Sequence, residues 1–435
     1  MVEAVAQNIT RTKEDRALLV PRFFAFVALS ALPSYVVRYD IPIPIKFLGH
    51  HFIPTTMLES FILATIASWL IVKLFFTAEG ISGANYLTIP AILLFIAGCI
   101  SVADAPNLRE ALGQWRAVIV EPLIMFFIIL DIYSSEFWLN ILLIALAISG
   151  LVAVLPNMAV VINALVHHKH VVAGAPVVIY TTPNAVSLLV DPLLAIAVAL
   201  AMYDNGNVWR RRIATVLAIV FALGDFLTFS RGGWVAVAVA LVVIAFFHPR
   251  RLRIYAGLVV LAILALALPP VRHRVEIELN FHSKLNSVVT RIYLWESTLR
   301  MLRARPFTGS GLAGFQYWIA KYKVPQYNQN LIDPHDIFLN FWAHTGLLGL
   351  IAGMWSLIIW GYKSFVNAIK NGPQRAMQIG LFAAAVAIFV HGLVDVPYFK
   401  NDLAVEWWAL AAVQLISLRL AGIVKSPWFW KPAEG

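Results

Sequence analysis

The chain has 435 residues, 60% hydrophobic and only 13% charged, with a mean hydropathy of +0.79. A soluble domain is nearer half apolar and a quarter charged, so the composition excludes one and points to a polytopic membrane protein, a single domain over 1–435. The net charge of +10 is no sign of nucleic acid, because basic residues gather in the cytoplasmic loops of membrane proteins, and the lone Cys99 excludes an internal disulfide or a cysteine-based metal site.

The N-terminal stretch MVEAVAQNITRTKEDR is too polar and too acidic for a cleaved signal peptide and reads as a cytoplasmic tail. A spanning helix needs about 20 apolar residues. About twelve candidates follow, near 18–37, 57–76, 86–103, 117–133, 138–157, 184–203, 213–229, 234–247, 254–269, 337–361, 378–395 and 403–421, so the expected fold is all-α. Arg210, Arg211 and Arg212 follow the sixth span, Arg250, Arg251 and Arg253 the eighth, Lys363, Lys370 and Arg375 the tenth, and Lys425 and Lys431 the twelfth. With an even count and the N-terminus inside, all four clusters fall on the cytoplasmic side, and both termini are cytoplasmic.

One loop departs from that rule. Residues 270–336, between the ninth and tenth spans, lie outside and carry Arg272, Arg274, Lys284, Arg291, Arg300, Arg303, Arg305, Lys321 and Lys323. Long loops escape the positive-inside count, so a basic solvated domain is one reading. An anionic ligand at the outer face is the other. Within the loop, Ile292, Trp295, Leu299 and Leu302 recur at helical spacing, which predicts a helix lying along the membrane surface and ending at Pro306.

In chain order, HHKH (167–170) looks metal-binding, but Lys169 repels a cation. In TTPNAVSLLVDPLL (181–194), Pro183 suits a helix start and Asn184 either caps or donates a hydrogen bond. Asp191, inside the span, is a functional candidate or the partner of an arginine. In FLTFSRGGWVAV (226–237), Gly232 and Gly233 permit a tight turn with positive φ, and Arg231 is held at the outer boundary, where a guanidinium binds phosphate bidentately. VEIELN (275–280) places Glu276 and Glu278 on a solvated face. GSGLAG (309–314) matches a dinucleotide fingerprint in letters only. No strand precedes it, so it reads as a turn or a small anion nest.

DPHDIFLNFWAHTGLLGL (333–350) opens the tenth span. Asp336, Asn340 and His344 form one helical stripe, whereas His335 points about 100° away. His344 lies deep and reads as packed. His335 sits at the interface, where an imidazole takes a proton near neutrality. In HGLVDVPYFKND (391–402), His391 and Asp395 stand four apart and read as a pair on one helix face, deep enough to join a site.

Four of these stretches resemble the O-antigen ligase and polymerase family of bacterial envelope glycosyltransferases: SRGGW, TRIYLWESTLRMLRARPFTGSGLAGF, PHDIFLNFWAHTGLLGL and TPNAVSLL. The resemblance covers roughly 180–400. It implies a GT-C-like membrane fold in the bacterial inner membrane, with a periplasmic site lined by Arg231, Arg291 and His335. It further implies transfer of a polysaccharide from undecaprenyl pyrophosphate to a sugar hydroxyl of lipid A–core, with no metal or other cofactor. Asp336 stands where an Asn often follows the family's His, and His344 where an acid is common.

The residues support part of this alone. An outside face has no nucleotide supply, so an enzyme there needs a pre-activated donor, and a lipid pyrophosphate suits the spans. Fixed cations aimed at the leaving group stabilise its developing charge. The resulting expectation has Arg231 and Arg291 gripping the pyrophosphate and His335 taking the acceptor proton. Arg300, Arg303, Arg305, Asn184, Asp336 and Asp395 would line the substrates, and the anomeric carbon would invert. A polymerase of the same family shares the donor and differs in the acceptor. A transporter places its polar groups at mid-membrane, whereas here they cluster at the outer ends.

Overall fold

The computed structural model describes residues 15–76, 81–82, 85–167, 177–281, 286–327, 329, 331–424 and 428–430. Residues 1–14 of the expected tail, His168, Lys169 and His170 of the histidine cluster, Lys284, Lys425 and Lys431 lie outside these. The helices are α1 Leu19–Ser30, α2 Met57–Phe75, α3 Thr88–Ala103, α4 Leu108–Trp115, α5 Glu121–Ile132, α6 Glu136–Val166, α7 Pro183–Tyr203, α8 Val208–Phe226, α9 Arg231–Phe246, α10 Arg251–Ala267, α11 Pro269–Leu279, α12 Ser287–Ala304, α13 Phe315–Tyr322, α14 Ile337–Ile369, α15 Arg375–Gly392 and α16 Asn401–Leu420. Among the described residues, α2, α6, α7, α14, α15 and α16 are long and apolar enough to cross a bilayer, and α10 with α11 forms an 85° bent pair that makes a seventh if it counts as one span. Other expected spans fall on shorter helices, such as α3 and α9, and α8 carries Arg210, Arg211 and Arg212 near its start.

A strand pair was not foreseen. β1 (Arg38–Phe47) and β2 (His50–Thr56) form an antiparallel hairpin after the first helix, turning through Leu48 and Gly49, both at positive φ. The alternation of Tyr39, Ile41 and Ile43 with Arg38, Asp40 and Pro42 is its sequence signal.

At the centre, α7 and α15 pack on one another; α9 and α14 also pack on α15, and α9 on α7. At one end of this group Tyr203 donates to the Ile244 carbonyl (2.7 Å) and Arg375 to the Phe247 carbonyl (3.4 Å). The chain therefore brings the starts of α7, α9 and α14 and the end of α15 together at the opposite end. Helix N-termini carry partial positive charge, so three of them face one region.

Helix α14 is broken where Gly346 takes φ +68°. The loop after α12 lies against the break. A side chain on Gly346 would run into the Phe307 carbonyl, and one on Gly309 into the carbonyls of Trp342 and Ala343. Backbone groups released inside a membrane must find partners. Here Leu347 N–H donates to the Phe307 carbonyl (3.1 Å), and Ser310 and Ser101 donate to the Ala343 and His344 carbonyls (2.8 and 2.5 Å).

The helix expected in the outer loop is α12. Leu294, Ser297, Thr298, Met301 and Leu302 are buried, whereas Ile292 and Leu299 of the expected stripe are exposed. Trp295 donates its indole N–H to the Pro334 carbonyl (3.1 Å). Cys99 is exposed on α3.

A candidate active site where the helix starts converge

The histidine of the tenth expected span heads this site. His335 precedes the N-cap of α14 and adopts φ +52°, a left-handed conformation unusual for a side chain with a Cβ. Such strain costs about 1–3 kcal/mol and persists only where neighbours enforce it. Trp295 holds the preceding carbonyl, and Asp336 next to it caps the helix by accepting from Leu339 N–H (2.8 Å). Burial raises the Asp336 pKa, against the hydrogen bonds from Leu339 and Phe338.

The imidazole Nδ1 of His335 lies 3.2 Å from Asp395 Oδ1. Nε2 makes no hydrogen bond with the described residues, and the side chain is part-exposed. Asn184 donates to Asp395 Oδ2 (2.6 Å), and Arg291 Nη2 stands 4.0 Å from the same oxygen. Arg291 Nε donates to the Val394 carbonyl (2.7 Å). Burial works to raise the Asp395 pKa, but the hydrogen bond and charge of His335, with the charges of His391 and Lys400, hold it well below the usual carboxylate range. An ionised carboxylate on Nδ1 fixes the tautomer that leaves Nε2 able to accept a proton.

Asp395 is not the partner of His391. Helix α15 ends at Gly392, so the i, i+4 geometry is lost, and His391 Nδ1 bonds instead to Asp191 Oδ2 (2.7 Å). Asp191 accordingly pairs with a histidine and not with an arginine. At the start of α7, Thr182 is the cap and Pro183 the first helical residue, which leaves the Asn184 amide to donate.

Arg231 is the first residue of α9, capped by Ser230. The residue with positive φ in this turn is Phe229 (+56°); neither Gly232 nor Gly233 has positive φ. The two glycines serve close approach, because added Cβ atoms would meet His391 and Ser187. Arg231 hydrogen-bonds Glu278 and the Ser287 hydroxyl (3.1 Å for the latter). Glu278 therefore lies on no solvated face, whereas Glu276 pairs with Arg272 on the exposed side of α11. Burial, then the charges of Arg274 and Arg291, lower the Arg231 pKa to about 10, so it stays protonated at neutral pH. Burial lowers that of Arg291 as well, with Asp395 opposing. Arg274, whose Nε is buried without a hydrogen bond among the described residues, was not singled out from the sequence. Guanidinium groups gathered at converging helix starts have the charge and geometry that suit an anion.

The other loop arginines stand apart. Arg300 pairs with Glu296 on the exposed face of α12, and Arg303 is exposed. Arg305 is tied to Asp104 and the Gly309 carbonyl and lies over Trp318, 3.9 Å from the ring centroid. The GSGLAG turn spends its amides internally, Ser310 on Ala343, Leu312 on Ser101 and Ala313 on Gln114, which rules against an anion nest. His344 is buried and bonded to Asp333 (2.8 Å). His335 and His344 thus separate into an accessible ring and a packed one, each with its own acid.

Fold and site together define a multi-pass membrane protein with a basic, histidine-bearing site at one end of its helix bundle. Residues 213–354 match the family model described as O-antigen ligase, so that part of the chain is similar to a family of glycosyltransferase-like ligases or polymerases. No curated protein matches the chain.

Proposed function

We propose that the protein is an O-antigen ligase, transferring a polysaccharide from undecaprenyl pyrophosphate to a sugar hydroxyl of lipid A–core. The observation that carries this reading is the His335–Asp395 pair with Arg291 on the same carboxylate and Arg231 on the adjoining helix start. The acceptor oxygen attacks the anomeric carbon as the bond from that carbon to the pyrophosphate oxygen breaks, and the configuration inverts. The hydroxyl proton passes to His335 Nε2. Asp395 holds the ring by Nδ1 and balances the imidazolium. The electron pair of the broken bond leaves on the pyrophosphate, where Arg231 and Arg291 meet it. General-base help contributes about 10²–10⁴-fold, and each charge-assisted hydrogen bond to the leaving group about 1.5–3 kcal/mol.

On this reading the chain crosses the inner membrane about twelve times with both termini cytoplasmic. The basic clusters after the sixth, eighth and tenth spans support that orientation, and the site is periplasmic. The test is reconstitution with labelled lipid-linked glycan and lipid A–core. Label arriving on lipid A–core supports a ligase. Label arriving only on longer carrier-linked chains identifies a polymerase, and no transfer to either overturns the reading.

A further inference from the structure

Beneath the Arg231 turn lies a layer of buried polar groups that the proposed transfer does not use. Asp191, Asp225 and His391 are each no more than 3% exposed. Ionisable side chains at such depth are expensive to keep in a membrane protein, so their arrangement needs a reason. His391 Nδ1 bonds Asp191 Oδ2 (2.7 Å), and Asp191 stands close enough to Asp225 for the two carboxyl groups to interact. Ser187 donates to Asp225 Oδ1 (2.5 Å) and meets the Thr228 hydroxyl (2.9 Å). Thr228 donates to the Asp225 carbonyl (2.6 Å) and accepts from Ser230 N–H (3.1 Å).

The start of α9 rests on this layer with no space between. A Cβ on Gly232 would lie 2.8 Å from His391 Cδ2 and 2.9 Å from Nε2; one on Gly233 would lie 2.7 Å from Ser187 Oγ and 2.9 Å from Asp225 Oδ1. The network draws on side chains of α7, α8 and α15. His391 also stands close enough to feel the charges of Asp395 and Arg291. One rigid layer therefore supports the Arg231 turn and borders the carboxylate that holds His335.

We propose that Asp191 and His391 are positioning residues, which set the height of the Ser230–Gly233 turn and so aim Arg231 at the donor pyrophosphate. The proposal rests on the donor-binding role given to Arg231 above. A misplacement of about 1 Å at such a group costs on the order of 100-fold in rate. The layer acts on the donor side of the reaction and leaves acceptor binding alone.

The experiment uses the full chain in nanodiscs, as wild type, Gly232→Ala, His391→Ser, the double variant, and Asp191→Asn, which keeps the side-chain size. Transfer is measured with donor and acceptor varied separately, alongside amide exchange of residues 228–234. Expected are a roughly 100-fold fall in kcat for Gly232→Ala with acceptor KM unchanged, a smaller fall for His391→Ser alone, and at least about tenfold recovery of the double variant over Gly232→Ala as the ring makes room for the new methyl. Asp191→Asn is expected to lower kcat and speed exchange of the turn amides. Unchanged kcat in Gly232→Ala and Asp191→Asn, a change confined to acceptor KM, or no recovery in the double variant overturns the proposal. If wild type does not transfer, the ligase reading falls by itself. Exchange then decides the positioning: faster turn amides in Asp191→Asn support it, and unchanged amides overturn it.

Discussion

Asp395 Oδ1 lies 3.2 Å from His335 Nδ1, and the other oxygen of the same carboxylate takes the Asn184 amide at 2.6 Å. One acid on the loop after α15 thus orients the ring that heads α14 and anchors the start of α7. Replacing His335 with Ala is expected to lower kcat by about 10²–10⁴-fold at unchanged protein level. Asp395→Asn should also lose activity while leaving the imidazole present, because the amide cannot balance an imidazolium. Steady-state transfer kinetics check both, and near-normal turnover in either variant removes that residue from the proton transfer.

The same carboxylate makes a stability prediction with a definite sign. Its folded pKa lies below the unfolded value of about 3.9, so its contribution is complete above that value and is lost as pH falls through the folded one. Asp395→Asn should therefore unfold at a lower temperature than wild type at pH 7, and the gap should narrow on acidification below about pH 4. A gap independent of pH would show that packing, and not charge, sets the difference.

Asp336 carries the opposite sign. Burial raises its pKa, so folding opposes its ionisation, and stability declines as pH rises from the unfolded towards the folded value. Asn caps helices as well as Asp, so Asp336→Asn should keep or raise the unfolding temperature at pH 7, whereas Asp336→Ala should cost about 1 kcal/mol. Thermal unfolding in detergent measures both. An Asn variant as unstable as the Ala variant would mean that the charge itself is needed.

Glu278 occupies the guanidinium of Arg231 that the donor is proposed to use. Glu278→Gln should lower the donor KM by removing a competing anion, and Arg231→Lys should lose the fork and about 10–150-fold in kcat/KM, the rate equivalent of 1.5–3 kcal/mol. Measured donor saturation curves distinguish the cases. A raised donor KM in Glu278→Gln would show that the acid orients Arg231 instead of competing for it.

Gly346 breaks α14 at φ +68° against the Phe307 carbonyl. Gly346→Ala faces both a strained φ and a backbone collision, and the loop carrying α12 to α13 would have to move. The expected outcome is a loss of folded protein in detergent, read by size-exclusion profile and unfolding temperature. Retention of both would place the loop elsewhere.

Hydropathy and short-range pattern carried a good deal of this protein. The apolar stretches, the basic clusters after them, the helix in the outer loop and the separation of His335 from His344 are all properties of neighbouring residues. Periods of two to four positions report them. The match of 213–354 to the O-antigen ligase family model agrees with the motifs SRGGW and PHDIFLNFWAHTGLLGL. Short-range reading also misled where spacing was taken for contact. His391 and Asp395 are four apart, but the helix ends between them.

Tertiary structure alone decided the partners. Asn184 meets Asp395 across 211 positions, His391 meets Asp191 across 200, and Arg231 meets Glu278 across 47. No period in a sequence encodes such pairs, because each depends on which helix ends the packing brings to one level. The glycines of SRGGW make the same point. Their need is for closeness to His391, Ser187 and Asp225, side chains on other helices, and not for a special backbone angle of their own. Sequence determined that this chain lies in a membrane with cations at one end of its helices. Packing determined which acid faces which base.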